Sequence, residues 1–405
     1  MTIRFGTDGW RAVISETFTF ANLRLLAQAI ADLILEGDGS AEPHAVVGFD
    51  TRFLSDRYAF EVARVLAGNS IRVLLTSSDA PTPAVSYAVK HTGAAAGVMI
   101  TASHNAPRYN GVKLKASFGG SALPDQCRRV EVHLRDNEER ARGPNLIDNE
   151  YAEKHGLIER FNPAPAYYAH LRELVDLEAI CNADPGVIHD PMYGSGRGYI
   201  KALLGGVGCQ VHEIRGEMNP GFGGIHPDPL AKYLGARAAA IPSRFGRVGI
   251  ATDGDADRIG AMDGRGLFVD PHRIFALVLK YLVEERGLRG TVVRTVSTTR
   301  MIDRLCKRYG LLLKETPVGF NHIADIMLVE DVLIGGEESG GISVKGHIPE
   351  GDGILMGLLL LEVIARAGKP LEDLVAALEA DVGPAHYART DLRLRMPVVK
   401  AEMVA

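Results

Sequence analysis

The chain repeats one pattern of apolar and polar positions. A short apolar, β-branched run is followed by a loop rich in Gly, Ser, Asp or Pro, then by an amphipathic helical stretch, and then by another apolar run. Residues 45–78, 186–214 and 290–316 all show this pattern. Because such a helix can cross one face of a sheet between two strands, the pattern predicts an α/β protein with parallel or mixed sheets.

Two stretches interrupt the pattern and are predicted to be linkers. Residues 136–165 are charged and contain prolines that break the helical pattern, and residues 263–271 form a glycine-bearing turn. A chain of 405 residues is long enough for about two to four domains. The predicted division is as follows: a first domain over 1–147, a second over 148–265, a third over 266–380, and a tail over 381–405 that is too short for another domain.

Composition narrows the class of protein. Hydrophobic residues make up 46% of the chain and charged residues 23%, as in globular proteins, and a net charge of -5 gives no general electrostatic reason to bind nucleic acid or an anionic membrane. Four cysteines without a CxxC pair favour a reducing compartment, and we expect a cytoplasmic protein. The most apolar run, 353–367, is interrupted by Glu362 and predicts a buried helix instead of a membrane span.

Candidate chemistry lies in loops that follow apolar strands. In TASHNAP, residues 101–107, Ser103 is a candidate nucleophile and His104 can donate or accept a proton. Asn110–Gly111 predicts a tight turn that returns Lys113 toward this loop. The alternative is that the Ser103 hydroxyl only closes a turn through its own backbone.

A second loop, within 248–263, carries aspartates at alternate positions. Asp253, Asp255 and Asp257 would repel one another in a tight turn, and a shared hard cation such as Mg²⁺ relieves that repulsion. A calcium loop of the EF-hand kind is disfavoured because the flanking residues have the pattern of strands. A solvated acidic turn is the alternative.

A third loop, within 333–354, ends an apolar strand in the sequence GGEESGG. Its carboxylate and hydroxyl groups, among them Glu337 and Ser339, suit the hydroxyl groups of a sugar. The alternative is a plain hairpin turn.

Four motifs together resemble the α-D-phosphohexomutase family, which contains the phosphoglucomutases and phosphomannomutases. FGTDGWR at 5–11, TASHNAP at 101–107, DGDADR at 253–258 and GEESGG at 336–341 occur in the order of that family. The resemblance extends over nearly the whole chain. It implies three consecutive α/β domains with mixed sheets and an active site in a central cleft between the domains.

The resemblance implies roles at the transferred phosphoryl group. Ser103 would carry that group, and Ser103, Asp253, Asp255 and Asp257 would hold the Mg²⁺ that touches it. Of two candidates for general acid/base catalysis, Lys113 and His104, Lys113 is preferred. Arg11, Lys113 and Arg258 are implied to surround the phosphoryl group, and His104 and Asn105 to shape the phosphoserine loop.

The resemblance also implies a reaction. Glu337 and Ser339 would bind sugar hydroxyls, while Gly319 and Phe320, in TPVGFNH, would help to orient the sugar. Phosphate would move reversibly between C1 and C6 of a hexose phosphate through a phosphoserine and a bisphosphorylated sugar, with glucose 1,6-bisphosphate as intermediate and activator. Phe320 stands where phosphomannomutase members often have histidine, which favours glucose phosphate over mannose phosphate.

Other functions stay open. Glucosamine and pentose phosphates are alternative mutase substrates. Two further classes are a non-catalytic sugar-phosphate binder and a Mg²⁺ phosphatase that uses an aspartate of DGDADR as its nucleophile. The resemblance suggests no partner other than a small sugar phosphate, and the oligomeric state is not predicted.

The sequence departs from the family pattern in two places. The family's fourth, C-terminal domain holds the phosphate that does not react, and residues 381–405 reach only the expected start of it. We therefore expect this chain to be poorly active although its catalytic centre is intact. The HNAP sequence also carries one alanine more than the usual HNP, which is a minor change.

Overall fold

The computed structural model describes residues 3–5, 9–37, 42–238 and 247–388. Three of the motif residues, 6–8, and most of the predicted tail, 389–405, lie outside the described residues. The described chain forms three successive sheets with helices packed on them, which confirms the predicted α/β class with mixed sheets. We call these three parts the first, second and third units.

The first unit contains a six-stranded sheet in the order β1-β5-β4-β2-β3-β6. Strands β4, β2, β3 and β6 are parallel, and β1 and β5 run antiparallel to their neighbours. Its elements are β1 (Trp10–Val13), α1 (Phe20–Gly37), β2 (His44–Phe49), α2 (Ser55–Gly68), β3 (Arg72–Thr76), α3 (Thr82–Thr92), β4 (Ala96–Ile100), β5 (Tyr109–Ala116), α4 (Pro124–Glu139), α5 (Asn149–Lys154) and β6 (Ile158–Phe161).

The second unit contains a five-stranded sheet in the order β11-β10-β9-β7-β8. Strands β9, β7 and β8 are parallel, whereas β9, β10 and β11 form antiparallel pairs. Its elements are α6 (Ala164–Leu174), α7 (Leu177–Ala183), β7 (Val187–Asp190), α8 (Tyr199–Gly205), β8 (Val211–Glu213), a 3₁₀ turn (Phe222–Gly224), α9 (Ala231–Ala238), β9 (Val248–Thr252), β10 (Ile259–Met262) and β11 (Phe268–Val269).

The third unit contains a four-stranded sheet in the order β13-β12-β14-β15, of which only β15 is antiparallel to its neighbour. Its elements are α10 (Pro271–Glu284), β12 (Thr291–Thr295), α11 (Met301–Tyr309), β13 (Leu313–Thr316), α12 (Phe320–Val329), β14 (Val332–Gly336), β15 (Ile342–Val344), α13 (Gly353–Ala367) and α14 (Leu371–Val382).

The three repeated sequence patterns are confirmed as strand–helix–strand segments. The pairs β2 and β3, β7 and β8, and β12 and β13 are each parallel and are joined by one helix. The apolar run predicted as a buried helix is α13, which is buried from Gly353 through Ile364. The Asp352 side chain caps its first turn by accepting a hydrogen bond from the Leu355 N–H.

The two predicted linkers contain regular structure. Pro163 precedes α6 and Pro165 lies in its first turn, where a missing N–H is harmless, so the prolines begin a helix here. Strand β6, within the range predicted for the second domain, pairs with β3 of the first sheet. In the other linker, Asp270 caps α10 directly after β11. The domain boundaries themselves stay predictions.

The apolar core has two main parts. One fills the first unit, and the other runs continuously through the second and third units. Helix α13 joins these two units because it packs against α7 and α8 of the second unit and α10 of the third. No helix in the described ranges combines the length and apolar composition that a membrane crossing needs.

Candidate active site

A cavity of about 270 Å³ lies where loops of all three units meet. The first unit contributes Ser103, His104 and Ser121, and the second contributes Asp257 and Arg258. The third unit supplies the remaining wall, from its TPVGFNH turn, its GEESGG loop and the segment before α13. The predicted central cleft between domains is therefore confirmed.

The Ser103 loop, which follows β4, is held in shape by a buried arginine. Arg52 donates hydrogen bonds to four backbone carbonyl oxygens around the loop, including those of Ser103 at 2.5 Å and Asn105 at 2.7 Å. Its charge is balanced by Asp50, whose carboxylate lies 3.1 Å from Arg52 Nε. Arg52 thus fixes the backbone of the loop, while the Ser103 side chain lines the cavity.

Ser103 itself has an uncommon backbone conformation. Its φ of 50° lies in the left-handed region, and its N–H donates to Thr101 Oγ1 at 2.8 Å. Left-handed backbone at a residue other than glycine is concentrated at functional sites, where surrounding contacts maintain it. These contacts point the Ser103 hydroxyl at the acidic loop of the second unit.

The acidic loop joins β9 to β10 and brings three carboxylates together. Ser103 Oγ donates to Asp253 Oδ2 at 2.8 Å, although the two residues are 150 positions apart. One carboxylate oxygen from each of Asp253, Asp255 and Asp257 lies within 4.8 Å of the other two. A Cβ at Gly254 would meet the Ser103 carbonyl oxygen at 2.5 Å, so glycine is required for this close approach.

The aspartates fit a cation site because two of their buried oxygens accept no hydrogen bond from the described protein groups. Within the described residues, Asp255 Oδ1 and Asp257 Oδ1 are buried and accept no hydrogen bond. Buried carboxylate oxygens are normally satisfied, and a hard cation with oxygen ligands would satisfy these two. Burial and the two neighbouring carboxylates raise the pKa of Asp253 well above its usual range.

Lys113 lies directly against this cluster. Its Nζ is 2.6 Å from Asp257 Oδ2 and 2.9 Å from Asp255 Oδ2. Burial opposes ionisation of Asp255, but Lys113 and a 2.6 Å hydrogen bond from Thr82 overcome that effect and lower its pKa. Lys113 reaches the cluster from β5 inside the sheet, since residues 110 and 111 pair with β1; the predicted turn at Asn110–Gly111 is wrong.

Two arginines lie near the serine loop and the aspartates. Arg258 lines the cavity, donates from its backbone N–H to Asp253 Oδ1 at 3.2 Å, and has its guanidinium 3.7 Å from Asp228. Arg11, on β1, donates to Asn105 Oδ1 at 3.2 Å. The predicted positive groups therefore lie around Ser103 and the aspartates.

His104 also lines the cavity. Its Nδ1 lies 3.4 Å from Ser103 Oγ. Burial, together with the positive charges of Arg258 and Arg11, lowers the pKa of His104 well below its usual value, so the imidazole is neutral near pH 7.

The part of the cavity that we call the sugar end is formed by the third unit. The GEESGG loop is the hairpin connection between β14 and β15, and Glu337 Oε1 accepts a hydrogen bond from the Gly319 N–H at 2.8 Å. Gly319, Phe320 and Ser339 line the cavity as well. All four predicted sugar-binding residues are thus brought together.

Several residues at the site were not singled out from the sequence. Arg52 and Thr82 act on the serine loop and on Asp255 from outside any motif, and only their contacts reveal them. Asn321 lines the cavity with an amide nitrogen that is buried and unpartnered among the described residues. Asn321 follows Phe320 in TPVGFNH. A polar residue next to a turn already singled out was the sequence signal that could have identified it.

Comparison with known proteins agrees with this geometry. Residues 2–141, 165–266 and 270–381 match the family models for phosphoglucomutase/phosphomannomutase alpha/beta/alpha domains I, II and III, respectively. A phosphoglucomutase/phosphomannomutase of Thermococcus kodakarensis is 30% identical over 375 residues, covering 92% of this chain and 80% of that protein. A phosphoglucosamine mutase of Moorella thermoacetica is 32% identical over 390 residues, covering 92% of this chain and 82% of that protein.

A solved structure is similar over nearly the whole chain. The crystal structure of a "putative phosphomannomutase" from Thermus thermophilus superposes with a TM-score of 0.87 at 39% identity, covering 95% of this chain and 84% of that one. The sequence similarity and the fold similarity both point to the family whose motifs form the serine, aspartate and glutamate loops of the cavity. The chain belongs to the phosphoglucomutase/phosphomannomutase family.

Proposed function

We propose that the protein is a phosphohexomutase that moves phosphate reversibly between C1 and C6 of a hexose phosphate. One observation carries this proposal: Ser103 Oγ lies 2.8 Å from Asp253 in a three-aspartate cluster that belongs to another unit. Phosphoryl transfer depends mainly on positioning and on stabilising the charge of the phosphoryl oxygens. A serine beside cation ligands, Arg and Lys is suited to that chemistry.

In the proposed cycle, phosphorylated Ser103 donates its phosphoryl group to a hydroxyl of the bound hexose phosphate. The bond between Ser103 Oγ and phosphorus breaks, a bond from the sugar oxygen to phosphorus forms, and the hydroxyl proton passes to a base. The product is a bisphosphorylated sugar, glucose 1,6-bisphosphate when the substrate is a glucose phosphate. After this sugar reorients, its other phosphoryl group returns to Ser103.

Asp253, Asp255 and Asp257, with an oxygen of phosphorylated Ser103, are proposed to hold Mg²⁺. Bound there, Mg²⁺ would supply positive charge to the phosphoryl oxygens. Arg258 and Arg11 are proposed to add positive charge from the protein. Lys113, which already contacts two of the aspartates, balances the negative charge of the cluster.

Two residues are proposed as the proton acceptor, with Lys113 preferred and His104 second. Lys113 accepts a proton only in its neutral form, and Mg²⁺ bound at the aspartates would favour that form by placing a second positive charge beside Nζ. Lys113 Nζ lies at the acidic cluster, and His104 lines the cavity beside Ser103. The pH dependence of kcat in Lys113→Ala and His104→Ala separates them, since only loss of the true acceptor removes its ionisation from the profile. Proton transfer itself is worth about 100-fold or more in rate.

The sugar is proposed to lie against the third unit. Glu337 and Ser339 would accept hydrogen bonds from its hydroxyl groups, and Gly319 and Phe320 would orient the sugar. Glucose phosphate is the proposed preferred substrate, with mannose phosphate second. Glucosamine phosphate is a further candidate because relatives named phosphoglucosamine mutase are 32% identical. A cytoplasmic location is supported by four cysteines that are free thiols.

The test is a coupled assay of purified protein with Mg²⁺ and catalytic glucose 1,6-bisphosphate. Glucose, mannose, glucosamine and ribose 1-phosphates are compared as substrates, and isomerised sugar phosphate and inorganic phosphate are both measured. We expect isomerised hexose phosphate, with glucose 1-phosphate giving the highest kcat/KM. Release of inorganic phosphate without isomerisation would instead identify a phosphatase.

A further inference from the structure

Glu350 is a buried carboxylate in the wall of the cavity that none of the motifs contains. It lies between β15 and α13, is 4% exposed, and lines the cavity together with Ser121 of the first unit and Gly351. It therefore stands at the junction of the first and third units, beside the space proposed for the sugar.

The contacts of Glu350 use only one of its two carboxylate oxygens. Lys115 Nζ lies 2.5 Å from Oε2, and Ser86 Oγ donates to the same Oε2 at 3.0 Å. Lys115 is fully buried on β5, and Ser86 lies on α3. Among the described residues, no protein group donates a hydrogen bond to Glu350 Oε1.

A buried ion pair of this kind is costly to form. Moving both charges out of water carries a desolvation penalty that the attraction between them offsets only in part, and an apolar pair of similar volume is often as stable. Burial correspondingly raises the pKa of Glu350, although Lys115 and Lys113 act in the opposite direction. Stability alone gives a weak reason for a carboxylate at this position.

We propose that Glu350 is a specificity-determining residue whose Oε1 accepts a hydrogen bond from one hydroxyl group of the sugar ring. The proposal rests on the proposed function, since it assumes a sugar phosphate in this cavity. Lys115 neutralises Glu350, so the carboxylate can stand near an anionic substrate without adding net negative charge. An ionised carboxylate only accepts hydrogen bonds, and so it selects a donor at that place on the ring.

The test is the binding of a series of sugar phosphates to the wild type and to Glu350→Gln. In this variant the amide oxygen can accept from Lys115 and Ser86, which leaves an NH₂ group where Oε1 was. Calorimetric dissociation constants are measured for glucose 1-phosphate, for its 2-, 3- and 4-deoxy analogues, and for inorganic phosphate. Binding is used because its outcome does not depend on turnover.

We expect Glu350→Gln to weaken the binding of glucose 1-phosphate by about tenfold or more, without changing that of inorganic phosphate. One deoxy analogue should bind equally to the wild type and to Glu350→Gln, because it lacks the hydroxyl group that donates a hydrogen bond to Glu350. An equal loss for every sugar phosphate would overturn the proposal, because it would show a purely structural role. No loss for glucose 1-phosphate would overturn it too.

Two controls keep the test decisive. Glu350→Asp retains the negative charge that pairs with Lys115, but its side chain is shorter by one methylene, so its carboxylate does not reach the sugar. It should fold, and it should show the same selective loss of sugar-phosphate binding if Glu350→Gln does not fold. Asp331→Asn removes an exposed carboxylate paired with Lys345 and should bind all ligands as the wild type does. If the wild type shows the binding pattern but never isomerises a sugar phosphate, the proposed mutase function fails while the role of Glu350 stands.

Discussion

The two ends of the cavity are built differently. At the serine end, Ser103, Asp253 and Asp255 are at most 1% exposed, and contacts from other units hold them in place. At the sugar end, Glu337 and Ser339 are only partly buried and lie on one glycine-containing hairpin loop.

Under the proposed function, this difference separates the groups that transfer phosphate from the groups that recognise the sugar. The serine end has fixed charges whose arrangement requires two units to be in register, and these charges are proposed to act on the phosphoryl group instead of the sugar ring. The sugar end presents acceptors from the third unit, and changes there should alter which substrate binds more than how fast phosphate moves. Substitutions at the two ends should therefore differ in their effects on kcat and KM.

The largest effect is expected for Ser103→Ala. Without its hydroxyl there is no atom to carry the phosphoryl group, so kcat should fall about a thousandfold or more in the coupled mutase assay. Ser78→Ala, at an exposed serine, is the control and should retain wild-type turnover. Near-normal activity of Ser103→Ala would remove this residue from the mechanism.

A second large effect is expected for Asp255→Asn. The change removes one proposed cation ligand and one partner of Lys113, so kcat should fall about a hundredfold and half-maximal activity should need more Mg²⁺. A titration of activity with Mg²⁺ measures both. If the variant keeps the wild-type Mg²⁺ dependence, Asp255 is not a ligand. Glu159→Gln, at an exposed carboxylate, is the control and should keep the wild-type Mg²⁺ dependence.

At the sugar end, Glu337→Gln should act mainly on KM. Replacing a charged acceptor by a neutral one should raise KM for glucose 1-phosphate about tenfold and leave kcat within a few fold. Steady-state kinetics at saturating Mg²⁺ give the two constants separately. A loss confined to kcat would contradict the separation between the two ends.

The smallest effect concerns a junction away from the catalytic groups. His170 of α6 contacts His347 at 3.0 Å and stacks on Tyr87 of α3, so residues of all three units meet there. Burial, reinforced by His347 and only partly opposed by Asp352, lowers the pKa of His170 to about 4. Between pH 6.5 and 4 the unfolded chain binds a proton that the folded protein does not, so stability falls as the pH falls.

Because His170 is only about half buried, we expect this loss to be about 1–2 kcal/mol in the free energy of unfolding. Urea unfolding at a series of pH values measures it. His170→Asn should reduce the pH dependence, whereas His155→Asn, at an exposed histidine, should not. An unchanged pH profile in His170→Asn would show that this junction does not contribute to the pH dependence of stability.

Much of this arrangement was predictable because loops after apolar strands carried recognisable groups. The alternating spacing of Asp253, Asp255 and Asp257 predicts a cation site, and the apolar pattern predicts the flanking strands β9 and β10. Contacts between units are not encoded in any local pattern. The roles of Arg52, Thr82 and Glu350 depend on partners more than 50 residues away, and so they emerge only from the fold.

Some local sequence patterns predicted the wrong structure because pairing within the sheet outweighed them. Asn110–Gly111 has the sequence of a hairpin turn, but both residues pair with β1 inside β5. A Cβ at Gly111 would meet the carbonyl oxygens of Thr101 and Trp10 at 2.6 Å, so this glycine serves close strand packing. The prolines at the start of α6 are likewise interpreted from the sequence as helix breakers, although a missing N–H is harmless in the first turn of a helix.

Whether Ser103 takes up a phosphoryl group tests the proposed mechanism most sharply. The protein is incubated with Mg²⁺ and glucose 1,6-bisphosphate, and its intact mass and the modified peptide are determined by mass spectrometry. We expect a mass increase of one phosphoryl group, located on Ser103 and dependent on Mg²⁺. An unmodified protein, or a phosphoryl group on an aspartate of the acidic loop, would contradict the proposed mechanism.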